Sequence, residues 1–303
     1  MKLRTELQPT PLSRRIDIGQ KTLLLGSCFT EHIGQWLQSA WLDVACNPWG
    51  VLFNPASIAQ NLCHCLANEP QEHELCLLGG RWLSFDHHGS IWADSEEALR
   101  ERLANIDRQA RETYLATDHL LVTFGTAWVF ERGGRIVANC HKAPAQEFTR
   151  RRLSVDEIVG QWAPFAQDKH LIFTVSPIRH LGDGLHGNQL SKATLLLAID
   201  RLQTLYPDRV EYLPVYELMM DDLRDYRFYA DDLVHPSTLA IDAVRELFMA
   251  NAMSPQLQQY MREISPIART LAHRPSDPEA AEYKALIART LAEKEKIIAK
   301  FKR

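Results

Sequence analysis

Five short apolar runs, at residues 23–25, 42–46, 119–124, 171–175 and 210–213, alternate along the chain with longer amphipathic stretches. Runs such as Leu23-Leu24-Leu25 are apolar on consecutive residues, which suits a strand buried on both faces. The stretches between them predict helices over 31–39, 56–66, 94–115, 155–165, 188–205 and 236–250, with Pro55 fitting the first turn of the second. Strand–helix alternation of this kind implies an α/β fold with a central parallel sheet covered by helices. Residues 75–92 alternate apolar and polar around Gly79-Gly80 and His88-Gly89, which predicts a small antiparallel excursion, and Gly133-Gly134 turns into a short strand over 136–139.

A chain of 303 residues makes one large domain, or a core domain with a smaller appendage. A net charge of −4 gives no basic footprint, so nucleic acid is not the expected partner. The first nine residues lack an apolar h-region and no apolar run approaches a membrane span; a cytoplasmic protein with no integral membrane segment is expected. The six cysteines are then expected as free thiols.

Functional loops of a parallel sheet lie at the C-terminal ends of its strands. There the first apolar run stops at Gly26-Ser27, ahead of a helix. The hydroxyl needs a base within hydrogen-bond reach, and the unpaired N–H groups of the helix start suit an oxyanion. Late in the chain, Asp232 precedes His235 by three residues, a spacing that lets a short loop fold a carboxylate onto an imidazole. The order Ser…Asp…His reads as a hydrolase triad. Asp231 competes with Asp232, and Cys28 is an alternative nucleophile at the helix N-terminus.

Cys63-His64-Cys65, with His73 and Cys76, superficially resembles a metal cluster. Helical residues two apart diverge by about 200°, so no metal is expected there. Near the other strand ends, His141 and Lys142 in Asn139-Cys-His-Lys142, and Arg179 in Ser176-Pro-Ile-Arg-His180, are candidate substrate contacts, with His186, Asn188 and Lys192 weaker ones. Trp49 and Trp128 offer aromatic faces to a sugar or to the core. In the tail, Ser276-Asp-Pro-Glu279 predicts a capping box, and Tyr283, Ile287, Leu291, Ile298 and Phe301 form a stripe that docks on the domain, pairs two subunits as a homodimer or lies on a membrane surface.

Gly26-Ser-Cys-Phe-Thr30, Asn47-Pro-Trp-Gly50, Phe124-Gly-Thr-Ala-Trp128, Asn139-Cys-His-Lys142 and Asp232-Leu-Val-His-Pro236 together resemble the GSCFA family of the SGNH/GDSL hydrolase superfamily. The resemblance runs over about residues 4–248 and implies a flavodoxin-like three-layer α/β/α sandwich, expected as a domain over 1–254; the residues after it are not covered and are expected as a C-terminal helical extension over 255–303. The resemblance also implies a serine esterase with Ser27, Asp232 and His235 as the triad, no cofactor or metal, and a small acyl group such as acetyl leaving a carbohydrate or related metabolite. Superfamily oxyanion holes combine the nucleophile's N–H, a Gly N–H after the second strand and an Asn side chain after the third. Ser27 and Gly50 match the first two; Gly125-Thr-Ala127 has no Asn, which leaves Thr126 or Asn139 as the third donor. Loss of one such donor costs about 2.7–4 kcal/mol. An acyltransferase on the same triad and a non-catalytic glycan- or acyl-binding protein are the alternatives.

Overall fold

The computed structural model describes residues 5–67 and 72–301. The chain begins with β1 (Thr22–Gly26), α1 (Cys28–Ser39), β2 (Val44–Cys46) and α2 (Pro55–Leu66). A first excursion, β3 (Leu75–Leu78), β4 (Arg81–Ser84) and β5 (Trp92–Ala93), precedes α3 (Glu96–Ala116) and β6 (His119–Phe124). A second, β7 (Trp128–Arg132), β8 (Arg135–Val137) and β9 (Thr149–Arg152), precedes α4 (Val155–Asp168), β10 (His170–Val175), α5 (Gly184–Leu205) and β11 (Val210–Tyr212). The short α6 (Val215–Glu217), then α7 (Thr238–Ala252), α8 (Pro255–Ala272) and α9 (Ala281–Phe301) complete the fold.

The five apolar runs pair in parallel in the order β11-β10-β6-β1-β2. Counted along the chain this is 2-1-3-4-5, the flavodoxin-like order, with its switch point between β1 and β6. Alternate residues feed two cores. Leu23, Leu25, Val122 and Phe173 pack with α2, α4 and α5 through Ile58, Trp162 and Leu195. Leu24, Leu121 and Ile172 pack on the other face with α1, α7 and α8 through Ile33, Phe248 and Met261. Sheet and helices form a three-layer α/β/α sandwich. Truncating a buried aromatic such as Phe173 to Ala costs ~3–5 kcal/mol at such a position.

Two small antiparallel sheets flank this core, β3-β4-β5 as expected and β8-β7-β9. β9 (Thr-Arg-Arg-Arg) carries no hydrophobic alternation; it is held by pairing with β7 and by ion pairs of Arg150 with Asp183 and of Arg151 with Glu131 and Glu157. Asn139 falls beyond β8 in a turn, not in a strand.

α8 lays Leu257, Tyr260, Ile264 and Ile267 into the same core as α1. α9 returns along α8: Phe301 meets Tyr260 edge-on and Lys300 pairs with Glu263. Only part of the predicted stripe docks, since Leu291 remains 42% exposed. The capping box expected at Ser276 does not form; Asp277 instead accepts the Glu279 N–H at 2.9 Å and the helix starts at Ala281. No helix among the described residues is long and apolar enough to cross a membrane.

Candidate active site

The end of β1 is shaped by Gly26. Its φ of +130° lies where side-chain-bearing residues are strained, and a Cβ there would overlap the Thr123 carbonyl oxygen. The chain then passes directly into α1 with Ser27 as N-cap, its backbone extended (φ −72°, ψ 175°). A serine at this position ordinarily caps its helix with its side-chain oxygen. Ser27 does not: its Oγ makes no capping bond and has no hydrogen-bond partner, although the residue is only 1% exposed. Buried hydroxyls without partners are uncommon, and this one lines a cleft.

The cleft has a volume of about 580 Å³ and lies at the C-terminal edge of the sheet. Ser27 and Cys28 line it from β1 and α1, and Asp232, Val234 and His235 from the loop before α7. That loop is a closed turn. Ala230 N–H donates to the His235 carbonyl at 2.8 Å, Leu233 N–H to the Ala230 carbonyl at 2.9 Å, and Leu233 takes a left-handed φ of 58°. Asp232 Oδ1 accepts the Val234 and His235 N–H groups at 2.9 Å each, and Oδ2 accepts His235 Nδ1–H at 2.5 Å. These bonds, backbone first and imidazole after, hold the Asp232 carboxyl down at about 2. With Nδ1 committed to Asp232, Nε2 is the nitrogen left for chemistry. Ser237, not His235, caps α7, its Oγ accepting the Ala240 N–H. Asp231 lies in the same turn and is exposed.

Arg179 lines the same cleft, its guanidinium 5.0 Å above the Tyr229 ring and donating to the Tyr229 hydroxyl at 3.2 Å. Arg150 and Asp183 pair across another stretch of the wall, beside His180. Cys28 also lines the cleft, but burial pushes its thiol up from 9.0, against the pull of the Phe29 N–H, which leaves less thiolate.

Six expected site residues lie elsewhere. Trp49 is core, 1% exposed, with its indole N–H donating to Asp107 Oδ1 at 2.8 Å, so it offers no platform. The Gly50 N–H donates to the Asn47 carbonyl at 2.8 Å, closing a turn, and is not free for an oxyanion. Thr126 Oγ1 is shared with Ser191 Oγ at 3.0 Å and accepts the Trp128 N–H. Asn139 Oδ1 accepts the His141 N–H at 2.9 Å. His141 donates from Nε2 to the Ser84 carbonyl at 2.7 Å, against Phe85. Lys142 is exposed in a left-handed turn (φ 62°). None of the six lines the cleft. For Asn139, His141 and Lys142 the reason is that they sit between β8 and β9 of the second excursion and not on a loop of the parallel sheet.

Two further residues stand out: Asn47, which was not among the expected site residues, and Lys192, expected only as a weaker substrate contact. Asn47 Oδ1 accepts the Gly26 N–H at 2.8 Å, next to Ser27, while its Nδ2 is buried without a partner. Lys192 is 1% exposed and its Nζ donates to the carbonyls of Gly125 (2.5 Å) and Ser176 (2.7 Å), tying the ends of β6 and β10 together under the cleft. Burial pulls its ammonium from 10.5 down to about 7, opposed by Asp183 and Cys28.

A sequence profile of the GSCFA family matches residues 21–248, which contain the whole parallel sheet, the Ser27 turn and the Asp232–His235 loop. The chain belongs to the GSCFA family. No curated protein matches it. The part of this GSCFA chain beyond the match holds α8 and α9.

Proposed function

We propose that this protein is a serine-dependent ester hydrolase of the SGNH type, removing a small acyl group such as acetyl from a carbohydrate or related metabolite. Membership of the GSCFA family fits a hydrolase, and the observation that carries the reading is Ser27: an N-cap serine released from capping, its Oγ unpartnered, in one cleft with an imidazole held by a carboxylate. In this reading Ser27 Oγ attacks the acyl carbonyl as its proton passes to His235 Nε2. The imidazolium is stabilised by Asp232 and then protonates the leaving alkoxide. Water, deprotonated by His235, releases the acyl group from Ser27.

The oxyanion needs donors that are free in the resting state. The Ser27 N–H makes only a long 3.4 Å bond to Thr123, and the Asn47 Nδ2 amide makes none. Sequence reasoning already gave the Ser27 N–H this role; we assign to the Asn47 amide the part it gave to Gly50 and to Thr126 or Asn139. Arg179 supports recognition of a polar or anionic group on the alcohol side.

The test is hydrolysis of p-nitrophenyl acetate and butyrate by wild type, Ser27→Ala and His235→Ala, with intact-mass detection of an acyl adduct. Turnover lost in both variants, with the adduct confined to Ser27, is expected. Activity indifferent to both changes would sink the esterase reading in favour of a binding role.

A further inference from the structure

On the far side of α2, three side chains from three separate elements converge. His64 projects from α2, His73 stands ahead of β3 and Asp107 projects from α3. His73 Nε2 lies 2.9 Å and His64 Nε2 3.4 Å from Asp107 Oδ2, and the three ligand atoms all fall within 4.8 Å of one another. The two imidazole rings stack at 3.9 Å with a tilt of 30°. All three side chains are largely buried, yet they face an open pocket of about 530 Å³ that also includes Cys65, Glu72 and Arg108. This pocket shares no residue with the Ser27 cleft.

We propose that His64, His73 and Asp107 bind one divalent transition-metal cation of the Zn²⁺ class, with the fourth position open to the pocket for water. Around a tetrahedral ion with bonds of 2.0–2.2 Å, neighbouring ligand atoms stand roughly 3.3–3.5 Å apart. The two measured edges, 2.9 and 3.4 Å, need only small adjustment to reach that spacing. Two imidazoles and a carboxylate with an open fourth position are an established donor set for zinc.

The outer partners fit as well. His73 Nδ1 faces Asp86 Oδ2 at 3.3 Å, which holds the proton on Nδ1 and turns the Nε2 lone pair toward the ion. Trp49 occupies Asp107 Oδ1 and leaves Oδ2 for the metal. Orienting partners of this kind accompany metal ligands in general. Edge-on to His73 at 4.6 Å, His87 is fully buried and its Nε2 has no partner, so the polar demand in this corner is not met by protein groups alone. The ion would cross-link α2, α3 and the first excursion, and its role is independent of Ser27.

The experiment uses the full chain after chelation and desalting, titrated with Zn²⁺ by calorimetry and with Co²⁺ by visible absorption. One ion per chain, Co²⁺ d–d bands without thiolate charge transfer, and a rise in melting temperature are expected. The same binding is expected in Ser27→Ala. His64→Gln removes the ligand with the fewest other bonds, and binding should weaken by at least ~10-fold with the fold intact by circular dichroism. His73→Gln should weaken it as well. No saturable binding, binding unchanged in both variants, or thiolate bands indicating cysteine ligands would each overturn the proposal. The first of these outcomes would leave the cluster as a histidine–aspartate hydrogen-bond network.

Discussion

Replacing Lys192 with Met tests how the floor of the cleft is built. Met has nearly the reach of Lys and no donor. The substitution strips hydrogen bonds from the buried Gly125 and Ser176 carbonyls, at about 1–3 kcal/mol for each group left unsatisfied. The wild-type lysine also carries a cost of its own. Unfolded, its ammonium titrates at the ordinary 10.5; folded, burial brings it to about 7. Between these values the unfolded chain binds more protons, so the Lys192 contribution to stability rises with pH across that window and its full penalty applies below it. The slope approaches 1.4 kcal/mol per pH unit, or roughly 2 kcal/mol between pH 7 and pH 9. Urea unfolding of both proteins should therefore show Lys192→Met less stable at pH 9, by a gap that narrows by roughly 2 kcal/mol at pH 7. Subtracting the variant from the wild type cancels the other titrating groups. A gap that does not change with pH would refute the reasoning, because it would mean that the lysine keeps its proton in the folded state without penalty.

Three further outcomes follow from the site. Gly26→Ala combines an unfavourable φ with overlap on the Thr123 carbonyl, and should destabilise the protein by more than ~1 kcal/mol in chemical denaturation while reducing esterase turnover. Asn47→Ala removes the unpartnered amide beside Ser27 and should lower kcat by about 10²–10³ with KM little changed, in steady-state hydrolysis of p-nitrophenyl acetate. With its carboxyl held near 2, Asp232 is ionised at every pH well above that value and becomes neutral only as pH falls through it. Its own titration should therefore leave no limb in the kcat/KM profile near neutrality, and Asp232→Asn should lower kcat throughout.

What the sequence disclosed and what it withheld divide along locality. The sheet is readable because each strand is buried on both faces, and runs such as Leu23-Leu24-Leu25 or Leu171-Ile172-Phe173 announce that within a few residues. Ser27, Asp232 and His235 reach one cleft because a strand end and a three-residue spacing place them, and Arg179 follows β10 in the same way. Trp49, His141 and Lys142 were misplaced because nothing near them in sequence records that α3 offers Asp107 to the Trp49 indole, or that the turn after β8 takes His141 to the Ser84 carbonyl and leaves Lys142 exposed. β9 was invisible, since four residues held by pairing and ion pairs have no hydrophobic pattern. Lys192 reads from sequence as a weak substrate contact until the ends of β6 and β10 are seen to need a donor. Asp107, one acid among many on the charged α3, acquires meaning only when α2 and the β3 approach bring His64 and His73 beside it.

The closed turn that carries Asp232 and His235 has a consequence for how such a site can drift. Carboxylate and imidazole sit on four consecutive residues and share three internal hydrogen bonds, so they travel as one rigid cassette. In the proposed mechanism, displacing the loop leaves the base and its orienter in tune with each other and alters a single coordinate, the gap between imidazole and serine. Neighbouring loops can then be lengthened, shortened or exchanged for a new alcohol without rebuilding the relay. Selection or design has one distance to restore, where a relay scattered over three strands would present several.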